Sequence, residues 1–114
     1  MALTKTNAIK MSLRKWHKIL DAYPDIKKMW DVEKGNDCGF CNFFFPGFNF
    51  LRCNSCPLYP DVCYKIMGEE PLPLYWQIRR KFYNRELNGL RDMIEQMIKE
   101  IQERGEKWLK LKKQ

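Results

Sequence analysis

The sequence predicts a mainly α protein in which a long C-terminal helix packs on an N-terminal helix, with a cysteine-rich metal-binding loop region between them. Three observations carry this expectation. Apolar residues recur at helical spacing at both ends of the chain. All five cysteines fall within positions 38–63, and that stretch is almost uncharged, holding only Arg52 and Asp61. A chain of 114 residues suits one domain, 1–114, and a domain of this size gains from a cross-link beside its limited core. Its 14% aromatic content supplies large apolar groups that a disordered chain lacks.

The first helix is expected over residues 4–23, because Ile9, Leu13, Trp16, Leu20 and Tyr23 recur at steps of four and three and so line one face. Thr4 or Thr6 is its N-cap. Pro24 ends it or starts a short second helix with Ile26, Met29 and Trp30 on one side. The N-terminal helices thus occupy 4–32, and 33–37, with Gly35, is expected as a loop.

Over 38–63 the turn formers Gly39, Pro46, Gly47, Asn54, Pro57 and Pro60 interrupt a run rich in phenylalanine. Phe43-Phe44-Phe45-Pro46-Gly47-Phe48 predicts a tight reversal centred on Pro46 and Gly47. Its arms form either a short hairpin or an irregular loop. After Pro71 and Pro73, the residues Trp76, Tyr83, Leu87, Leu90, Ile94, Met97 and Ile101 follow steps of seven, four, three, four, three and four. This spacing predicts one long helix over 74–110 with a coiled-coil-like seam, widened by Phe82, Met93 and Ile98. Gly105 weakens it near its end. Such a seam leaves dimerisation through the long helix open.

The cysteines carry the strongest chemical signal. Cys38-Gly-Phe-Cys41 and Cys53-Asn-Ser-Cys56 are two C-x-x-C turns, each setting two sulfurs on one side of a tight bend where backbone N–H groups favour thiolate. Four thiolates from two such turns suit tetrahedral Zn²⁺ or the corners of an iron–sulfur cluster. In a reducing compartment, cysteines this crowded read as ligands instead of disulfides. Three features favour a [4Fe-4S] cluster over zinc. Cys63 is a fifth thiol that a two-knuckle zinc site does not need. Cys56 is followed directly by Pro57, as in many cluster-binding runs. Phe40, Phe43, Phe44, Phe45, Phe48 and Phe50 form a belt able to exclude water from a redox centre, or simply to pack a core. A cubane needs ligands spread around it, so the expected set is Cys38, Cys41, Cys56 and Cys63, with Cys53 the alternative fourth ligand. A zinc ribbon would take Cys38, Cys41, Cys53 and Cys56.

The order Ser12-Leu13-Arg14-Lys15-Trp16, Cys38-x-x-Cys41, Cys53-x-x-Cys56-Pro57-Leu58, Cys63 and Pro73-Leu74-Tyr75-Trp76 resembles a group of small cysteine-rich proteins found mainly in bacteriophages and prophages. Those proteins carry a Trp-bearing first helix, C-x-x-C, C-x-x-C-P, a further Cys and a Pro-x-Tyr or Pro-Tyr motif. The likeness spans roughly residues 8–101, and its distinctive part is the cysteine pattern. It implies metal or iron–sulfur binding and no named reaction. The Thr-Gly that precedes the last cysteine in that group is missing here.

Other chemistry is sparse. The formal net charge is +7, but Lys and Arg alternate with Glu as on a solvated helix surface. Arg79, Arg80, Lys81 and Arg85, interleaved with Trp76, Phe82 and Tyr83, are the candidate nucleic-acid contact, and equally describe the outer face of a helix. His17 is expected at the surface, and Asp31, Glu33 and Asp37 in a solvated loop. No G-x-S-x-G, Walker or dinucleotide motif occurs, so no catalytic set is expected. The opening MALTKTNAIK lacks an apolar signal region and no stretch reaches the ~18 apolar residues of a membrane span. The expected location is the cytoplasm, that of the host cell if phage-encoded, with no membrane contact. Two functional expectations follow: an iron–sulfur protein of electron transfer or redox sensing with a redox or protein partner, or a zinc-stabilised module that binds nucleic acid or a partner protein.

Overall fold

Side chains cap two helix starts in the N-terminal half. Thr4 Oγ1 accepts from the Asn7 N–H at 3.1 Å, opening α1 (Lys5–Ala22). Asp25 Oδ1 accepts from the Lys28 N–H at 3.1 Å, opening α2 (Ile26–Gly35) just beyond Pro24. Both caps satisfy N–H groups that a helix leaves without a partner, an effect of about 1 kcal/mol each. A computed structural model of the chain describes residues 4–35, 39, 57–58, 61–63 and 72–110. Among them are four helices and no strand: α1, α2, α3 (Leu74–Asn84) and α4 (Leu90–Leu109). No helix among the described residues is long and apolar enough to cross a membrane.

Two boundaries differ from the sequence expectation. α2 continues through positions 33–35, expected as loop, because Glu33 lies four residues beyond Met29 and extends the same buried side; Met29 and Glu33 are both buried. The single helix expected over 74–110 is two helices that reverse at residues 85–89. Arg85 takes the left-handed conformation (φ 53°), and the Glu86 N–H donates to the Lys81 carbonyl at 2.9 Å, closing α3. Gly89, at φ 75°, then starts α4, a conformation glycine adopts without strain. Asn88-Gly89 is a turn signal that the seven-residue spacing hides.

The helices touch as a ring. α1 packs on α2 and α4, α3 packs on α4 and α2, and the diagonal pair α1 and α3 meets through the side chains of Trp16 and Tyr75. The start of α1 lies beside the end of α4: Lys5 Nζ sits 5.1 Å above the Trp108 ring, and Gly105 faces Ile9. Short connections make α1–α2 and α3–α4 antiparallel hairpins, so one end of the bundle gathers the starts of α1 and α3 and the ends of α2 and α4. Inside the ring Trp16, Ile19, Met29, Ile78, Phe82, Leu90, Ile94, Met97 and Ile101 are at most 2% exposed. Each such side chain contributes about 1.5–3 kcal/mol by leaving water. The seam Leu90, Ile94, Met97 and Ile101 is therefore spent on the chain's own core and offers no stripe to a second copy, whereas Tyr83 and Leu87, beside the reversal, are exposed. α4 does not fade at Gly105. A Cβ there would lie 3.0 Å from Ile9 Cδ1, so the missing side chain permits the close approach of α1, and Trp108 beyond it is buried.

Candidate functional site

The cysteine-rich stretch reaches the bundle at fixed points. Cys38, Cys41, Cys53, Cys56, the phenylalanine belt and the Pro46-Gly47 reversal lie outside the described residues. Gly39, Pro57, Leu58 and Cys63 lie within them, and all four bear on the end that gathers the starts of α1 and α3. Among the described residues no three His, Cys, Asp or Glu side chains converge as a metal site.

Gly39, beside Cys38, docks on α1. Its N–H donates to Ser12 Oγ at 2.9 Å, and that hydroxyl donates to the Ala8 carbonyl at 3.0 Å, so the fully buried Ser12 is satisfied on both sides. A Cβ on Gly39 would fall 1.9 Å from the Ala8 carbonyl oxygen. Backbone on both sides leaves nothing to yield cheaply. Gly39→Ala is accordingly expected to push position 39 off α1 and lower the melting temperature by several degrees, about 1–3 kcal/mol. Thermal unfolding followed by circular dichroism checks this, and unchanged melting refutes the docking.

Residues 57–58 and 61–63 form the second anchor. Leu58 and Val62 are each 2% exposed and insert into the helical core. The Val62 and Cys63 N–H groups both donate to the Leu58 carbonyl, at 3.1 and 2.9 Å, closing a turn. The carbonyls of Asp61 and Val62 then accept from the Leu74 and Tyr75 N–H groups at 3.0 and 2.8 Å. Two N–H groups at the start of α3 find partners in this way, with Pro73 at the cap position and no side-chain cap. From α4, Arg104 donates to both carboxylate oxygens of Asp61 at 2.9 and 2.7 Å and to the Pro57 carbonyl at 3.3 Å.

Arg104 holds the Asp61 carboxyl below its ordinary value of 3.8, and its own guanidinium is pushed up in return. The stabilisation is therefore complete above that ordinary value and is lost as pH falls through the lower folded one. Asp61 is 65% exposed, so solvent screening keeps the contribution within about 0.2–1 kcal/mol. Urea titrations across pH 2–5 are expected to show this acid-sensitive component in the native chain and not in Asp61→Asn.

Between the two anchors lies a buried polar network. Lys15 Nζ stands 3.6 Å from Glu33 Oε1, with the two side chains only 6% and 5% exposed. The Tyr75 hydroxyl donates to the same Glu33 oxygen at 2.6 Å and accepts from Arg79 Nη1 at 3.4 Å. Trp16 meets the Tyr75 ring edge-on at 6.4 Å. Burial, then the Glu33 hydrogen bond and charge, push the Tyr75 phenol far above the usual tyrosine range, so it stays protonated and keeps donating. Cys63, partly buried against the core, adjoins this tyrosine, whose backbone is bonded to Val62.

Sequence reasoning missed Lys15, Glu33 and Tyr75 as a unit and expected Glu33 in a solvated loop. The available signal was the i, i+4 step from Met29 to Glu33, which continues the buried face of α2. His17 is exposed, as expected. Of the basic candidates, Lys81 pairs with Glu86, while Arg79 stacks over Trp76 and Tyr75 at 5.3 and 5.7 Å. Phe82 is core, and Tyr83 is 77% exposed. Comparison of the chain with family models, curated proteins and solved structures finds no match.

Proposed function

We propose that the chain binds one [4Fe-4S] cluster through Cys38, Cys41, Cys56 and Cys63, with Cys53 the alternative fourth ligand, and serves in electron transfer or redox sensing in a reducing cytoplasm. Of this reading, the resemblance to the cysteine-rich phage and prophage proteins implies the metal or iron–sulfur binding alone. The observation that carries it is the pairing of thiol spacing with anchorage: each C-x-x-C motif has a residue within it or directly after it, Gly39 or Pro57, tied to the helical bundle, and the Cys63 N–H is bonded to the Leu58 carbonyl next to Pro57. An all-thiolate donor set fits iron–sulfur chemistry, and a bound cluster would supply a one-electron couple. The chain's own residues would exclude water and fix the local field: Trp16 and Leu58 by burial, and Tyr75 by donating its proton to Glu33 while its oxygen accepts from Arg79. Ser12, Lys15 and Trp16 of the motif Ser12-Leu13-Arg14-Lys15-Trp16 are all buried at this end, which gives that motif a physical reason.

A zinc-stabilised binding module is the second reading, favoured by the aromatic and basic face of α2 and α3. Anaerobic purification separates them. The cluster reading expects brown protein with broad absorbance near ~400 nm and matching iron and sulfide. Colourless protein holding one zinc per chain would reject it in favour of the second reading.

A further inference from the structure

The α2–α3 face carries two grooves that no described cysteine lines. Trp30 of α2 lies between two grooves. One, of 260 Å³, is lined by Trp30, Leu72, Trp76, Arg79, Arg80 and Tyr83. The other, of 170 Å³, has Lys27, Lys34 and Arg85 in its wall, with Asp31 the only acid in either lining. Trp76, Arg80 and Tyr83 stand at steps of four and three on α3 and so share a face.

Three features of this face need explaining. Tyr83 leaves 77% of its surface in water while its ring sits 6.1 Å from that of Trp30. The indole N–H of Trp30 is buried with no hydrogen-bond partner among the described residues, an arrangement that native structures rarely leave unexplained. Cations lie over the rings: Lys34 Nζ is 5.1 Å from the Trp30 centroid, and the Arg79 guanidinium is 5.3 Å from that of Trp76. The grooves are too small to enclose a drug-sized ligand, but they suit flat rings laid against other flat rings. Cationic rims beside them match a polyanion.

We infer that this face binds single-stranded nucleic acid, with bases stacking on Tyr83 and Trp76 and the phosphate backbone running along Arg79, Arg80, Lys27 and Lys34. Unpaired bases present π-faces to the exposed Tyr83 and the half-buried Trp76, and the backbone presents the charge. A duplex hides those π-faces, and an acidic peptide would use the cations alone. The site is independent of which metal the cysteines hold.

The test uses the full chain, metal-loaded, with fluorescein-labelled oligothymidylate and oligouridylate of about twelve nucleotides, read by fluorescence anisotropy. Binding is expected with one or both oligomers, and their ratio tells DNA from RNA. Affinity should fall steeply between about 50 and 200 mM salt. Tyr83→Ala, which alters an exposed side chain, should weaken binding by about 5- to 100-fold with an unchanged helix signal. Arg80→Gln should lower the salt slope by about one. Absence of binding at low salt overturns the proposal, as does full binding by Tyr83→Ala. Equal affinity for a duplex of the same length reduces the face to a general polyanion surface and also overturns it. Competition by polyglutamate as effective as by oligonucleotide would assign the face to an acidic protein partner instead.

Discussion

Cys38→Ser and Cys41→Ser are each expected to lose the metal almost completely, with content falling at least about tenfold, and to melt well below the native chain. Metal binding and folding are coupled in small metal domains, where a structural site contributes about 10–16 kcal/mol in the most dependent cases. The dependence here is expected to be partial, because the helical ring has its own core of Trp16, Ile19, Phe82, Ile94, Met97 and Ile101. The variants should therefore keep most of their helical circular dichroism while the anchors at Gly39, 57–58 and 61–63 loosen. Cys53→Ser is the discriminating partner. It keeps its metal if Cys56 and Cys63 complete the set, and loses it if a ribbon of two C-x-x-C turns is the true arrangement. Full metal content in both Cys38→Ser and Cys41→Ser, measured by mass spectrometry on anaerobic material, would show the ligand assignment to be wrong.

Lys15→Met should be the most damaging substitution away from the cysteines, at about 3 kcal/mol by urea unfolding. It removes the cation from a pair in which both partners are nearly dry, and leaves the Glu33 carboxylate with the Tyr75 hydroxyl as its remaining partner. The cost comes from stranding a buried charge more than from the attraction itself. The double variant Lys15→Met/Glu33→Leu should accordingly recover much of the loss, giving a coupling energy of about 1–3 kcal/mol in a double-mutant cycle. A Lys15→Met chain as stable as the native one would mean that water reaches the pair and that the network is no more than a surface contact.

The same network marks where sequence reading stopped. α1 was legible to within a residue or two, because five apolar side chains repeat at helical steps between a threonine cap and Pro24. α2 was legible in kind but cut short, since Glu33 is a charged residue and composition assigns charge to solvent. Its partners on other helices, Lys15 of α1 and Tyr75 of α3, offset the cost of burial there. The C-terminal half was harder. Tyr83 and Leu87 continue the seven-residue spacing across the reversal, so periodicity joined two helices that Asn88-Gly89 separates. The Trp30 grooves could not be read at all, since α2 and α3 contribute walls from distant parts of the chain.

What the sequence determined alone was local: which segments are helical and where caps and prolines bound them. These properties depend on residues within a turn or two of one another, where φ/ψ preference and side-chain period act directly. The tertiary structure decided what lies dry and beside what: Ser12 under Gly39, Glu33 between Lys15 and Tyr75, Arg104 clasping Asp61 and Pro57, and Trp30 facing α3. Burial and charge pairing depend on neighbours brought together by helix packing, and no spacing along the chain encodes them.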